Sequence, residues 1–161
     1  TYMDKKIITF EKEIKERKKS ENYDNSIFQQ NKQIEFINKL FQNIDFDEKK
    51  ICISEIKAKL NSYKNQDIQK KRSIDNIINF DEIIEKLVSS QLKCFYCREN
   101  MKIVFENIRE STQWTLDRLN NYYAHNNDNV VICCLKCNLQ RRRQNHKGFK
   151  FSKQLVITKE K

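Results

Sequence analysis

The chain has 161 residues, a net charge of +10, 34% charged residues, one Gly and no Pro. This length supports one modest core, or a small helical region beside a metal-stapled module. No apolar run approaches the roughly 18 residues needed to span a bilayer and no signal-peptide pattern opens the chain, so the expected setting is a soluble, intracellular, reducing compartment, cytoplasm or nucleus.

With so little Gly and Pro, long helices joined by polar Asn/Asp/Lys loops are expected. Residues 11–19 (Glu-Lys-Glu-Ile-Lys-Glu-Arg-Lys-Lys) form a charged stretch with almost no apolar face, which reads as a solvated or frayed helix. From Ser26 to Ile44 the residues Ile27, Phe28, Ile34, Ile37, Phe41 and Ile44 recur close to every 3.6 positions and predict an amphipathic helix. A second helix is predicted from Ser54, as N-cap, to about Lys71, with Ile56, Leu60, Tyr63 and Ile68 on one stripe. A third begins near Asp81, turns Ile83, Ile84, Leu87 and Val88 inward and is broken by Ser89-Ser90. Residues 1–90 therefore read as a helical region, 91–150 as a second module and 151–161 as a C-terminal tail.

In the second module, residues 102–106 and 113–117 read as short strands. The alternation in the latter sets Trp114 and Leu116 against Thr115 and Asp117. Trp114 is read as core rather than as a platform for base stacking. Residues 120–128 form a loop by composition, 130–133 a third strand and 135–146 a helix, with Gly148 placed to end it.

Charge divides unevenly between the two regions. Residues 1–90 carry 18 Lys/Arg against 16 Asp/Glu, and residues 91–161 carry 14 against 6. The excess of +8 in the second region suits a surface that faces phosphate. The near-neutral helical region is expected to brace the fold, to contact a protein partner or to form a homodimer, more than to bind DNA itself.

Six cysteines in a reducing compartment point to metal rather than disulfides. Cys94-x-x-Cys97 and Cys134-x-x-Cys137, with 36 residues between the pairs, match two knuckles that complete one tetrahedral structural Zn²⁺ site. Cys52 and Cys133 read as small buried apolar groups.

The run Leu116-Asp117, then Asn129-Val130-Val131, then Cys134-x-x-Cys137-Asn138, preceded by Cys94-x-x-Cys97, resembles the HNH nuclease family, also called His-Me finger or ββα-metal nucleases. The resemblance covers roughly residues 92–147. Many members have Asp-His where this chain has Asp117-Arg118; a subgroup in phages and large DNA viruses that reads Leu-Asp-Arg is similar, and a virus-encoded origin would fit it. The expected fold class is α+β, an N-terminal helical region followed by a zinc-stapled ββα-metal module.

The resemblance implies that Asp117 and Asn138 hold a catalytic Mg²⁺ or Mn²⁺, a pairing of hard oxygen ligands with hard cations. The family's general base follows the metal-binding Asp, a position held here by Arg118, which accepts no proton at neutral pH. His125, one of two histidines, lies in the following loop and has the ordinary pKa for the task. Asn129 would hold that loop or the imidazole in place. If His125 has no role, Arg118 would clamp phosphate while a metal-bound hydroxide attacks, or the site is inactive. Arg141 and Arg142, three and four residues beyond Asn138, are expected to face the scissile or flanking phosphate, and Arg143 and Lys147 the backbone around it. The expected activity is metal-dependent hydrolysis of DNA, with RNA not excluded. The alternatives are an inactive zinc-stapled nucleic-acid-binding module and a structural or assembly component.

Overall fold

The computed structural model describes residues 18–19 and 23–159. Of the stretch expected as a charged helix, all but Lys18 and Lys19 lies outside them. These two bond to Glu106 (3.1 Å) and Glu55 (2.5 Å).

The described chain is a mixed assembly of helices and one two-stranded sheet. The first predicted helix is split: a 3-10 turn, Asn25–Phe28, precedes α1, Gln30–Phe41. Ile27, Phe36 and Ile37 are buried, whereas Phe41 and Ile44, expected on the same face, are 58% and 46% exposed because the helix ends at Phe41. Gln33 on α1 is fully buried. Its Nε2 donates to the carbonyls of Ile27 (2.8 Å) and Val104 (2.9 Å), and its Oε1 accepts from the N–H groups of Ile103 and Val104 (2.9 and 3.0 Å). This amide stands where a neighbouring strand would be. The expected strand 102–106 accordingly does not form, and only Lys102 makes a bridge, to Gln113.

The second helix, α2, spans Lys49–Gln69 and begins five residues before the expected cap, so Ser54 is an exposed interior position. Ile56 is buried, but Ile68 is 51% exposed. The helix also presents Lys59, Tyr63 and Asp67, four residues apart and so on one face, to the second module. Lys59 Nζ donates to the carbonyl of Trp114 (2.5 Å) and to Gln113 Oε1 (2.7 Å), and the Leu116 N–H donates to the Tyr63 hydroxyl (3.1 Å). Side chains of α2 thereby satisfy backbone groups that a strand edge would otherwise leave open.

The third helix, α3, covers Phe80–Ser90 behind a capping box of Asn79 and Glu82, with Ile83, Ile84 and Leu87 buried. Ser89 and Ser90 continue the helix instead of breaking it. The stop comes at Gln91 and Leu92, whose φ values of 51° and 55° are left-handed.

Strands β1, Trp114–Arg118, and β2, Val130–Cys134, pair antiparallel with Trp114 opposite Cys134 and Asp117 opposite Val131. Trp114 is fully buried, as expected for core. The final helix is two. α4, Leu135–Arg141, ends at Arg142 (φ 52°), and α5, His146–Gln154, starts afresh on Asn145, whose side chain accepts from the N–H groups of Lys147 and Gly148. Gly148 thus lies inside a helix rather than ending one. Phe149 of α5 is buried against Tyr96, ring centroids 4.9 Å apart, and Gln154 donates to the Tyr96 carbonyl at 3.0 Å, so α5 carries past position 150 into the expected tail.

One continuous core runs from Ile27 through α1, α2 and α3 to Trp114, Ile132 and Phe149. The expected boundary near Ser90 therefore does not separate two cores. No helix among the described residues is long and apolar enough to cross a membrane.

Candidate metal centre and cleft

Two sites occupy opposite ends of the sheet. At one end the sulfurs of Cys94, Cys97, Cys134 and Cys137 all lie within 4.8 Å of one another. The gap of 3.9 Å between the Cys97 and Cys134 sulfurs is too long for a disulfide bond and matches the roughly 3.8 Å edge of a tetrahedron with metal–sulfur bonds of about 2.3 Å. None of the six cysteines is in a disulfide. Backbone N–H groups of Tyr96 and Cys134 point at the Cys94 sulfur, and that of Cys137 at the Cys134 sulfur, each at 3.4 Å. The Cys134 thiol and the backbone N–H groups of Cys134, Cys97 and Tyr96 together lower the Cys94 pKa to about 4, against its burial, while its partner Cys134 is raised. A set of sulfurs already arranged around shared negative charge is the donor chemistry of a soft or borderline metal ion. Cys133 and Cys52 take no part: both are fully buried, and burial pushes both thiols up.

At the other end a cleft of about 1070 Å³ opens between α2, the end of β1, the 120–128 loop and α4. Asp117, Arg118, His125, Asn138, Arg142 and Arg143 all line it. Local structure places each of them. Asp117 lies near the end of β1, where its Oδ2 accepts from the Tyr96 hydroxyl (2.5 Å) and Arg141 Nη1 (2.8 Å). Asn138 is on the first full turn of α4 and donates through Nδ2 to Thr115 Oγ1 (3.1 Å) and the Leu116 carbonyl (3.2 Å). Among the described residues, Oδ1 of Asp117 and Oδ1 of Asn138 have no protein partner. Asp117 and Asn138 both line the cleft, and a carboxylate with an amide oxygen is the donor chemistry that a hard divalent cation would take there.

His125 is buried at 4% exposure while lining the cleft. Its Nδ1 meets Asp67 Oδ2 at 2.9 Å, its backbone N–H donates to the same oxygen at 2.9 Å, and its ring packs on Tyr63 with centroids 4.6 Å apart. Burial lowers the imidazole pKa, Asp67 opposes that, and Arg118 and Arg72 add to it. The net result is a neutral ring at neutral pH. Asn129 bonds the Asn120 N–H and carbonyl and the Ala124 carbonyl, each at 3.0 Å. It closes the loop that carries His125, and its bonds go to the loop backbone rather than to the imidazole. Arg118 Nη1 donates to the carbonyls of Asn121 (2.6 Å) and Tyr123 (3.1 Å) at the base of the same loop.

Arg141 differs from expectation. At 2% exposure it is buried, and its guanidinium donates to Asp117, to the carbonyls of Arg118 (2.7 Å) and Leu119 (3.1 Å), and through Nε to the Gln144 carbonyl (2.9 Å). It is a tie between α4 and the end of β1, not an exposed phosphate contact. Arg142 and Arg143 remain on the cleft, whereas Lys147 is exposed on α5 and does not line it.

Sequence reasoning missed Asp67, Tyr63, Lys59 and Tyr96. The first three share one face of α2, a signal readable as a polar stripe at positions i, i+4 and i+8; Tyr96 lies between the two cysteines of the first knuckle. Lys59 also lines the cleft, and burial together with Lys19 brings its pKa down to about 7. Lys70 and Arg72 join it, so Lys and Arg line the cleft from both sides, with Asp117 as the one carboxylate among the described lining residues. A second cavity of about 770 Å³, beside Glu82 and Glu85, holds none of these residues.

No family model, curated protein or solved structure matches the chain.

Proposed function

We propose that this protein is an HNH-type endonuclease that hydrolyses DNA phosphodiester bonds with one divalent cation, on a fold closed by a structural zinc at Cys94, Cys97, Cys134 and Cys137. The observation that carries this reading is that Asp117, Asn138, the His125 imidazole and a basic rim share one cleft.

In this mechanism Asp117 and Asn138 would hold the cation, which would supply positive charge against the phosphorane-like transition state and the leaving oxygen. His125 removes a proton from water. The water oxygen forms the new bond to phosphorus, the bond to the leaving oxygen breaks with its electron pair on that oxygen, and the leaving oxygen is protonated from solvent. Arg142 and Arg143 bind flanking phosphates. Arg118 shapes the loop that presents His125.

One observation favours a second reading, an inactive nucleic-acid-binding module: Arg141 already neutralises Asp117 at 2.8 Å. Incubation of zinc-loaded protein with supercoiled plasmid, and in parallel with RNA, in Mg²⁺ or Mn²⁺ decides between them. Nicking that is lost in EDTA and in Asp117→Ala supports the nuclease. Salt-sensitive binding with no cleavage in either metal supports the second reading.

A further inference from the structure

We infer that Asp67, near the C-terminal end of α2, is a positioning residue that holds His125 as its Nδ1–H tautomer and leaves Nε2 as the proton acceptor in the cleft, so that the helical region completes the site. This rests on the reading of His125 as the base.

Asp67 is fully buried. Its Oδ1 accepts from Arg72 Nη1 at 3.1 Å, and its Oδ2 accepts from both the backbone N–H and the ring Nδ1 of His125 at 2.9 Å. Burial works against its charge, but the two bonds from His125 and the one from Arg72 outweigh it and hold the carboxyl below its ordinary value. An ionised carboxylate only accepts hydrogen bonds, so the ring nitrogen facing it carries the hydrogen. The other nitrogen, Nε2, then carries the lone pair, and among the described residues it has no protein partner.

The platform is rigid. Lys59 and Tyr63, two turns and one turn before Asp67 on the same face, bond the backbone of β1, and the Tyr63 ring lies against the imidazole. Asp67, Arg72, Arg118 and the neutral Tyr63 are the charged and titratable groups facing the ring. When the ring gains a proton, Arg72 and Arg118 oppose it and Asp67 alone favours it, which is how a buried carboxylate supports a histidine base. The bond to the His125 backbone N–H would suffice to fasten the loop. The ring bond adds a chosen tautomer, and this is the feature a purely structural role does not require.

The test uses the full chain. Asp67→Asn keeps the size and one acceptor but removes the charge, and kcat is expected to fall by about 100-fold or more with DNA binding and zinc content unchanged. Nitrogen-15 NMR of the histidine rings, on wild type without DNA or added Mg²⁺, should show His125 with hydrogen on Nδ1. In Asp67→Asn the ring should titrate at lower pH. Wild-type cleavage by Asp67→Asn while His125→Ala is inactive would overturn the inference and leave the nuclease reading intact. A wild-type His125 with hydrogen on Nε2 would overturn it even if Asp67→Asn does not fold. An Nδ1–H ring that loses basicity in Asp67→Asn, in a protein that cuts nothing, would uphold the positioning and reject the nuclease.

Discussion

At the Cys134 end of the sheet the chain gathers four sulfurs within 4.8 Å of one another, whereas at the Asp117 end it gathers oxygens, an imidazole and guanidinium groups around open solvent. The two ends are joined by β1 and α4, which start beside the sulfurs and run to the cleft: Asn138 bonds at Thr115 and Leu116, and Arg141 at Asp117, Arg118 and Leu119. The sulfur end is complete within residues 94–137 of the second region. The cleft end is not, because Asp67, Lys59 and Tyr63 arrive from α2, more than 50 residues earlier than the groups they bond. On the proposed function the sulfur end would fix the fold by metal ligation, while the cleft end is assembled by packing and by hydrogen bonds from α2.

Each end can be broken separately. The largest effect belongs to the sulfur end. Cys97→Ser, or removal of the metal with a strong chelator, should abolish cooperative thermal unfolding of the module, since structural zinc contributes on the order of 10 kcal/mol to small domains; metal analysis should find one zinc per chain. A Cys97→Ser protein that melts like wild type would mean the sulfurs are not a structural centre.

Next comes the tie between the ends. Arg141→Leu leaves Asp117 without its buried partner and should cost about 3 kcal/mol in denaturant unfolding, while zinc content stays the same. A change under about 1 kcal/mol, the range of exposed ion pairs, would assign Arg141 to the surface after all.

The pH profile concerns the cleft alone. Burial places His125 below its ordinary value of 6.5, so the neutral, proton-accepting form dominates at neutral pH. Cleavage should then be flat from about pH 7 to 8 and fall roughly tenfold per unit only on the acid side of the His125 pKa, below about 6.5. A rate still climbing steeply above about pH 7.5 would point to another base.

The smallest effect is at the rim. Removing Arg142 and Arg143 together should reduce the slope of log binding constant against log salt by about two, one for each phosphate that the variant no longer neutralises. Lys147→Ala, off the cleft, should leave that slope unchanged.

Much of this arrangement is legible in the sequence, for reasons that can be named. The paired Cys-x-x-Cys motifs are local and chemically specific, and the three N-terminal helices follow from apolar periodicity. Asp117 and Asn138 come forward through the resemblance to HNH nucleases, and the loop histidine through its isolation. What escapes depends on long-range or unusual backbone features. Gln33 replaces a strand, and no local pattern announces a side chain acting as a strand partner. The face of α2 that reaches His125 is polar, so an apolar stripe drawn through Ile68 points elsewhere. The break after Arg141 is hidden because the left-handed position is held by Arg142, as others are by Asn43, Lys71, Gln91, Leu92 and Arg98, while the single Gly148 sits in a helix. In a chain this poor in glycine, turns occupy positions where the residue type gives no warning, at about 1 kcal/mol each.

The decisive measurement is the single-turnover cleavage rate of His125→Ala, in protein shown to carry one zinc and to bind DNA with wild-type salt dependence. The expected rate is lower by at least about 100-fold, with folding and binding intact. A rate equal to wild type would remove the imidazole from the chemistry and leave the cleft without the base assigned to it here.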